Sequence, residues 1–180
     1  MASLITPSSV VAFWKEAGPA KWYAKDEAFD REFRDAARAL HWAAARRELD
    51  DWIDTAEGAL ALMILLDQYP RNSYRGTGHQ FATDGLGLMF AKQAWKRGWP
   101  RTFDPDLRQF FVTPFEHSED LADQDTAVSL STDMPEVLKY AHIHRDIIVR
   151  FGRFPHRNKA LGRETTTEEQ TFLDQGGFGG

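Results

Sequence analysis

The residues most suited to chemistry in this chain lie in four short segments. The first is the polar run Asp67-Gln68-Tyr69-Pro70-Arg71-Asn72, which follows directly on an all-apolar stretch at residues 59–66. A carboxylate in that place faces the negative end of a helix dipole and loses part of its hydration, so Asp67 requires a cationic partner. Arg71 is four residues on, but Pro70 favours an extended Tyr69 and breaks regular spacing, so the expected partner moves to Arg153 or Arg157. Gln68 and Asn72 add amide donors and acceptors at the same end. A helix stop held by an ion pair explains the run equally well.

The second segment, Phe154-Pro155-His156-Arg157-Asn158, echoes the first by placing a planar cation and an amide after a helix. If the two converge, Arg71, Arg153 and Arg157 form a guanidinium-rich surface for carboxylate or phosphate. Taken singly, each arginine could equally serve the C-terminal carbonyls of its own helix. The third candidate is His144, on the apolar stripe of Tyr140, Ala141, Ile147, Ile148 and Phe151, whereas His142 shares a polar face with Lys139 and Asp146. The fourth, His117-Ser118-Glu119-Asp120, offers a base beside acids, although N-capping accounts for Ser118 and Asp120. Tight His-x-x-x-His or Glu-x-x-His spacing is missing, so no metal is assigned and no cofactor is expected.

Composition narrows the classes of function. The net charge is −5, with Lys and Arg scattered among acids, so the basic footprint of a nucleic-acid binder is missing. The six Trp lack basic interleaving and read as core or rim. There is no Cys, which excludes disulfides, thiolate metal sites and thiol nucleophiles. No phosphate loop, Gly-x-Ser-x-Gly motif or dinucleotide fingerprint occurs. The N-terminal residues do not read as a signal peptide, and no apolar run approaches the roughly 20 residues that span a bilayer. The expectation is a cytoplasmic protein that binds neither nucleic acid nor membrane, with its oligomeric state open.

The elements that must position these residues are helices. Thr6-Pro7 starts one that Gly18-Pro19 stops, and Asp26 caps a second in which Phe29, Phe33, Ala36, Ala37 and Leu40 recur at helical steps. Thr55 caps a third over residues 56–69, apolar on every side and hence central. Further helices are expected over residues 84–97, over 106–112 with Pro114 as terminator, after Ser118, from Pro135 to Gly152, and after Thr166 or Thr167 in a capping box with Glu169. The result is an all-α fold of seven to eight helices in a single domain, residues 1–175. A loose Gly-rich tail follows over residues 176–180.

Residues 59–72, 114–120, 144–148 and 152–158 together resemble the bacterial family called domain of unknown function 924. The resemblance runs from Val11-Ala12-Phe13-Trp14 to Gly162-Arg163-Glu164. It implies a compact helical fold with right-handed, tetratricopeptide-like packing, and no established activity. The functional expectation is a pocket at the polar helix ends. Asp67, Gln68, Arg71, Asn72, Arg153, Arg157 and Asn158 would bind an anionic small molecule there. His117, His144 or His156 would transfer protons, with Asp67 or Glu119 orienting one of them. The alternative is a helical groove whose arginines capture a peptide terminus.

Overall fold

Side-chain caps start the helices where the sequence places Thr or Asp before an apolar pattern. In the computed structural model, which describes residues 4–179, Thr6 caps α1 (Pro7–Ala17) and Asp26 caps α3 (Glu27–Ala45). Thr55 caps α4 (Ala56–Met63), and Thr166 forms a capping box with Glu169 at α12 (Thr167–Asp174). Glycines in the left-handed conformation end α6 (Asp84–Arg97) at Gly98 and α10 (Pro135–Phe151) at Gly152, whose φ is 68°. The first three residues and the last glycine of the expected loose tail lie outside the described residues.

The fold is all-α, with no strand among the described residues, but its helical segments exceed the expected seven or eight. Proline is the reason. Pro19 and Pro114, read from sequence as stops, occupy first turns, where a missing N–H costs nothing. They open α2 (Pro19–Trp22) and α8 (Thr113–Glu116), while the helix expected over 106–112 starts at its Asp104 cap as α7 (Pro105–Arg108). Likewise Asp120, not Ser118, caps α9 (Leu121–Leu130) through the Ala122 N–H. A short α11 (Asn158–Leu161) completes the set.

Helix α4 is the centre. Every residue at positions 59–66 is fully buried, among them Leu60, Leu62, Met63, Ile64, Leu65 and Leu66. Each large side chain sealed in this way contributes about 1.5–3 kcal/mol relative to exposure. Around it pack α1 and α6. At one end Trp14, Trp22, Phe33 and Phe110 form an aromatic cluster, with ring centroids of Trp14 and Phe33 at 5.3 Å and of Trp22 and Phe110 at 5.0 Å. Gly58 lies against the preceding turn so closely that an added Cβ would overlap the Trp52 carbonyl oxygen. Gly58→Ala should therefore destabilise by about 1–3 kcal/mol despite alanine's better helix propensity, and a lower urea midpoint at unchanged slope would register it.

The chain does not stop at Pro70. Residues Ile64–Gln68 form a π turn that runs into α5 (Tyr69–Ser73), and Tyr69 is helical at φ −54° and ψ −46°. The expectation of an extended Tyr69 is thus corrected. The Tyr69 N–H reaches back to the Ile64 carbonyl instead of that of Leu65. The released Leu65 carbonyl accepts from Nδ1 of His41 at 2.9 Å. The Leu66 carbonyl, four residues before a proline that has no N–H to offer, accepts the Thr83 hydroxyl at 2.5 Å. These two replacement donors let a proline sit inside a buried helix. They also turn Asp67 and Arg71 toward the same side.

Candidate functional site

The π turn brings Asp67 and Arg71 within 3.2 Å of each other, which corrects the expected pairing with Arg153 or Arg157. Asp67 is wholly buried, and four donors surround its carboxylate. Oδ2 accepts from Gln68 Nε2 at 2.7 Å and from the Thr113 hydroxyl at 3.1 Å. Oδ1 meets Arg71 Nη1 and accepts from His117 Nδ1 at 2.6 Å. Burial alone would push the Asp67 carboxyl up. Arg71 and then His117 outweigh it and hold the group below the usual carboxylate range.

Because a carboxylate can only accept, His117 carries its proton on Nδ1. Nε2 is then an acceptor with no partner among the described residues, beside the cavity that His117 lines. Burial and Arg71 lower the basicity of this imidazole more than Asp67 raises it, so His117 is neutral at neutral pH. His144, the stripe histidine, is buried as expected, and its Nδ1–H donates to the Tyr140 carbonyl at 2.8 Å. Its Nε2 is likewise an acceptor with no partner among the described residues. The rings of His117 and His144 are 6.1 Å apart. Burial takes His144 down to about 4 and His156 to about 3.

These residues line one cavity of about 410 Å³ between α5, α8, α10 and the 3-10 turn Pro155–Arg157. Of the residues expected from sequence, Gln68, Arg71, Asn72, His117, His144, His156 and Arg157 reach its wall. Asp67 lies beneath the wall and acts through His117 and Arg71. Three others are elsewhere. Arg153 is held bidentately by Glu169 at 2.6 and 2.9 Å. Glu119 is held by Arg163 at 2.7 and 3.0 Å and accepts from the Phe154 N–H. Asn158 is buried and joined to Arg163 and Glu169. The C-terminal segment thus consumes them as internal ties, a pairing that spacing along the chain does not disclose. The tail, read from sequence as loose, lays Phe178 against His144, with ring centroids at 4.6 Å.

Two site residues were not singled out from sequence. Asp84, in the first turn of α6, grips Arg71 bidentately at 2.9 and 3.0 Å and reaches Arg157 at 3.3 Å. In sequence it is an ordinary helix-starting acid. The Arg157 guanidinium is stacked between Phe154 and Phe81, 4.4 and 4.7 Å from the ring centroids. Glu116 sits immediately before His117 on the cavity wall, 4% exposed. Its Oε1 is sealed from solvent without a donor among the described residues. Burial, reinforced by Asp67, pushes this carboxyl up to about 8. The cavity therefore combines an oriented neutral base, a neutral carboxylic acid and three arginines, Arg71, Arg157 and Arg75, the last of them paired with Asp30.

A family model of bacterial proteins of unknown function matches residues 10–177. A solved structure of a protein of unknown function from Agrobacterium tumefaciens is 53% identical, with a TM-score of 0.92 over 94% of this chain and 97% of that one. No curated protein matches the chain. No helix of the described residues is long and apolar enough to cross a membrane.

Proposed function

The chain belongs to the bacterial family of unknown function DUF924, and from that premise we propose that its cavity binds a small molecule and moves a proton on it. The observation that carries this reading is the Asp67–His117 pair at 2.6 Å, with the acceptor Nε2 beside a cavity of about 410 Å³ that His117 lines. A buried carboxylate that fixes the tautomer and aim of a histidine is a recurrent way to prepare a general base. A volume of this order is typical of small-ligand sites.

Arg71 and Arg157 give the cavity a cationic side suited to an acidic group of the ligand, although both already share Asp84. That sharing favours a singly charged ligand over a polyanion, because each guanidinium is largely neutralised. It also weighs against the peptide-groove reading, in which several free arginines would capture a terminal carboxylate. Arg153, one of those proposed for that role, is already held by Glu169.

The test is a thermal-shift screen of small carboxylic acids and phosphate esters, run on the parent protein and on Arg157→Gln and His117→Ala. A ligand at about a hundredfold over its dissociation constant stabilises the native state by about 2.7 kcal/mol. The reading expects a shift that Arg157→Gln reduces. It is wrong if no compound shifts the parent, or if shifts persist unchanged in both variants.

A further inference from the structure

We propose that Glu116 is the proton donor opposite the His117 base, and that the ligand is a small α-keto acid whose carbonyl oxygen accepts from the Glu116 carboxyl. The proposal rests on the proton-transfer reading above and adds to it the second catalytic residue and the substrate class.

The geometry of Glu116 points this way before any titration is considered. Glu116 is 4% exposed, yet it lines the cavity, and its Oε1 is buried with no hydrogen-bond partner among the described residues. An ionised carboxylate with one oxygen sealed away from every donor would incur a large desolvation cost. A neutral acid fits the same place. The sealed oxygen is its carbonyl, which leaves the hydroxyl on Oε2 as the donor that Glu116 can offer to the cavity it lines. Among the surrounding ionisable groups, the carboxylate of Asp67 acts on Glu116 from the π turn and favours the neutral form. Arg71 is spent on Asp67 and Asp84, and so supplies no ion pair to Glu116.

Three features then select the ligand. A guanidinium end, Arg157 with Arg71, suits one carboxylate. A hydroxyl donor at Glu116 suits a carbonyl oxygen, and a neutral base at His117 suits a carbon-bound proton made acidic by that carbonyl. An α-keto acid carries all three groups on adjacent atoms, while Val137 and Phe178 on the wall offer apolar surface to its remainder.

The step balances without a cofactor. His117 Nε2 takes a proton from the carbon next to the carbonyl, and the C–H electron pair becomes the C=C bond. The carbonyl π pair moves to oxygen, which takes the Glu116 proton. The products are an enol, an imidazolium at His117 and a carboxylate at Glu116. Reversal restores both groups and returns a proton to carbon.

Reversal in heavy water places deuterium on that carbon, so proton NMR of pyruvate, α-ketobutyrate and phenylpyruvate incubated with the protein reads the step without knowledge of the final product. The expected result is exchange faster than in buffer for at least one probe. It should be abolished by His117→Ala and slowed about a hundredfold or more by Glu116→Gln, which keeps the shape but has no acid proton. Exchange as fast in Glu116→Gln as in the parent overturns the role of Glu116 and leaves the base reading standing. Exchange of none of the probes overturns the substrate class, while the thermal-shift screen still judges the pocket by itself. A measurement without ligand completes the test. The infrared difference between the parent and Glu116→Gln at neutral pH should show a carboxylic-acid carbonyl band, and a carboxylate band in its place overturns the donor.

Discussion

Asp67→Ala should lower the free energy of unfolding by about 3–5 kcal/mol, the range for removing one partner of a buried ion pair. The loss has a specific origin. Asp67 is wholly buried and receives Gln68, Thr113, His117 and Arg71. Without it, Arg71 keeps only Asp84 and the Asp67 main-chain carbonyl, Thr113 keeps only the Phe110 carbonyl, and the donors of Gln68 and His117 lose their acceptor in a place water scarcely reaches. Asp67→Asn keeps the shape and the acceptor for His117, so its cost should be smaller, about 1–3 kcal/mol. Urea denaturation at neutral pH measures both, and losses below about 1 kcal/mol in both variants would show that the network stabilises nothing. A second readout separates orientation from stability. Asp67 raises the basicity of His117, against burial and Arg71. In Asp67→Asn the His117 titration followed by NMR should therefore move further down.

What could be read from sequence divides along physical lines. Periodicity and caps are local, and they located α4, the inward-facing His144 and the Thr166–Glu169 box. The clustering of Arg71, His117, His144, His156 and Arg157 was also within reach, because each follows or interrupts an apolar helix and so must end near the core. Proline misled, because its two roles, breaking a helix interior and opening a first turn, look alike in one dimension. The π turn before Pro70 depends on donors from His41 and Thr83, which are distant in sequence. Long-range pairing decided the rest. Glu119 and Arg153 are taken by Arg163 and Glu169, and Asp84 bridges two arginines that lie 13 and 73 residues away. Glu116 escaped notice for a different reason. Nothing in the types or spacing of Glu116 and His117 signals that the fold seals the glutamate to 4% exposure.

Acid should destabilise this protein at a pH well above that at which its paired carboxylates titrate. His41 is fully buried; its Nδ1–H is donated to the Leu65 carbonyl, and its Nε2 accepts from His79 Nε2 at 3.0 Å. A second proton would set donor against donor. Burial, opposed by the Leu65 bond, takes His41 to about 4 in the folded chain, against 6.5 for the free side chain. The unfolded chain thus binds the proton first. Stability is complete above pH 6.5 and is lost as the pH falls toward 4. Between pH 7 and pH 5 this amounts to about 2 kcal/mol for His41, and to a similar amount for each of His144 and His156. Glu116 acts in the opposite direction. Its folded value of about 8 means that the native state holds a proton the unfolded chain releases above 4.5, so its contribution grows as the pH falls. Over the same interval it returns about 2.5 kcal/mol, which one carboxyl cannot extend to three histidines. Urea denaturation should therefore show a net loss of about 3–4 kcal/mol from pH 7 to pH 5. In Glu116→Gln the opposing contribution is gone and the fall steepens by about 2.5 kcal/mol, whereas in His41→Gln it becomes shallower by about 2 kcal/mol. Equal stability of the parent at the two pH values would mean that these histidines take up protons in the folded chain as readily as in the unfolded one, contrary to the burial and bonding described for them.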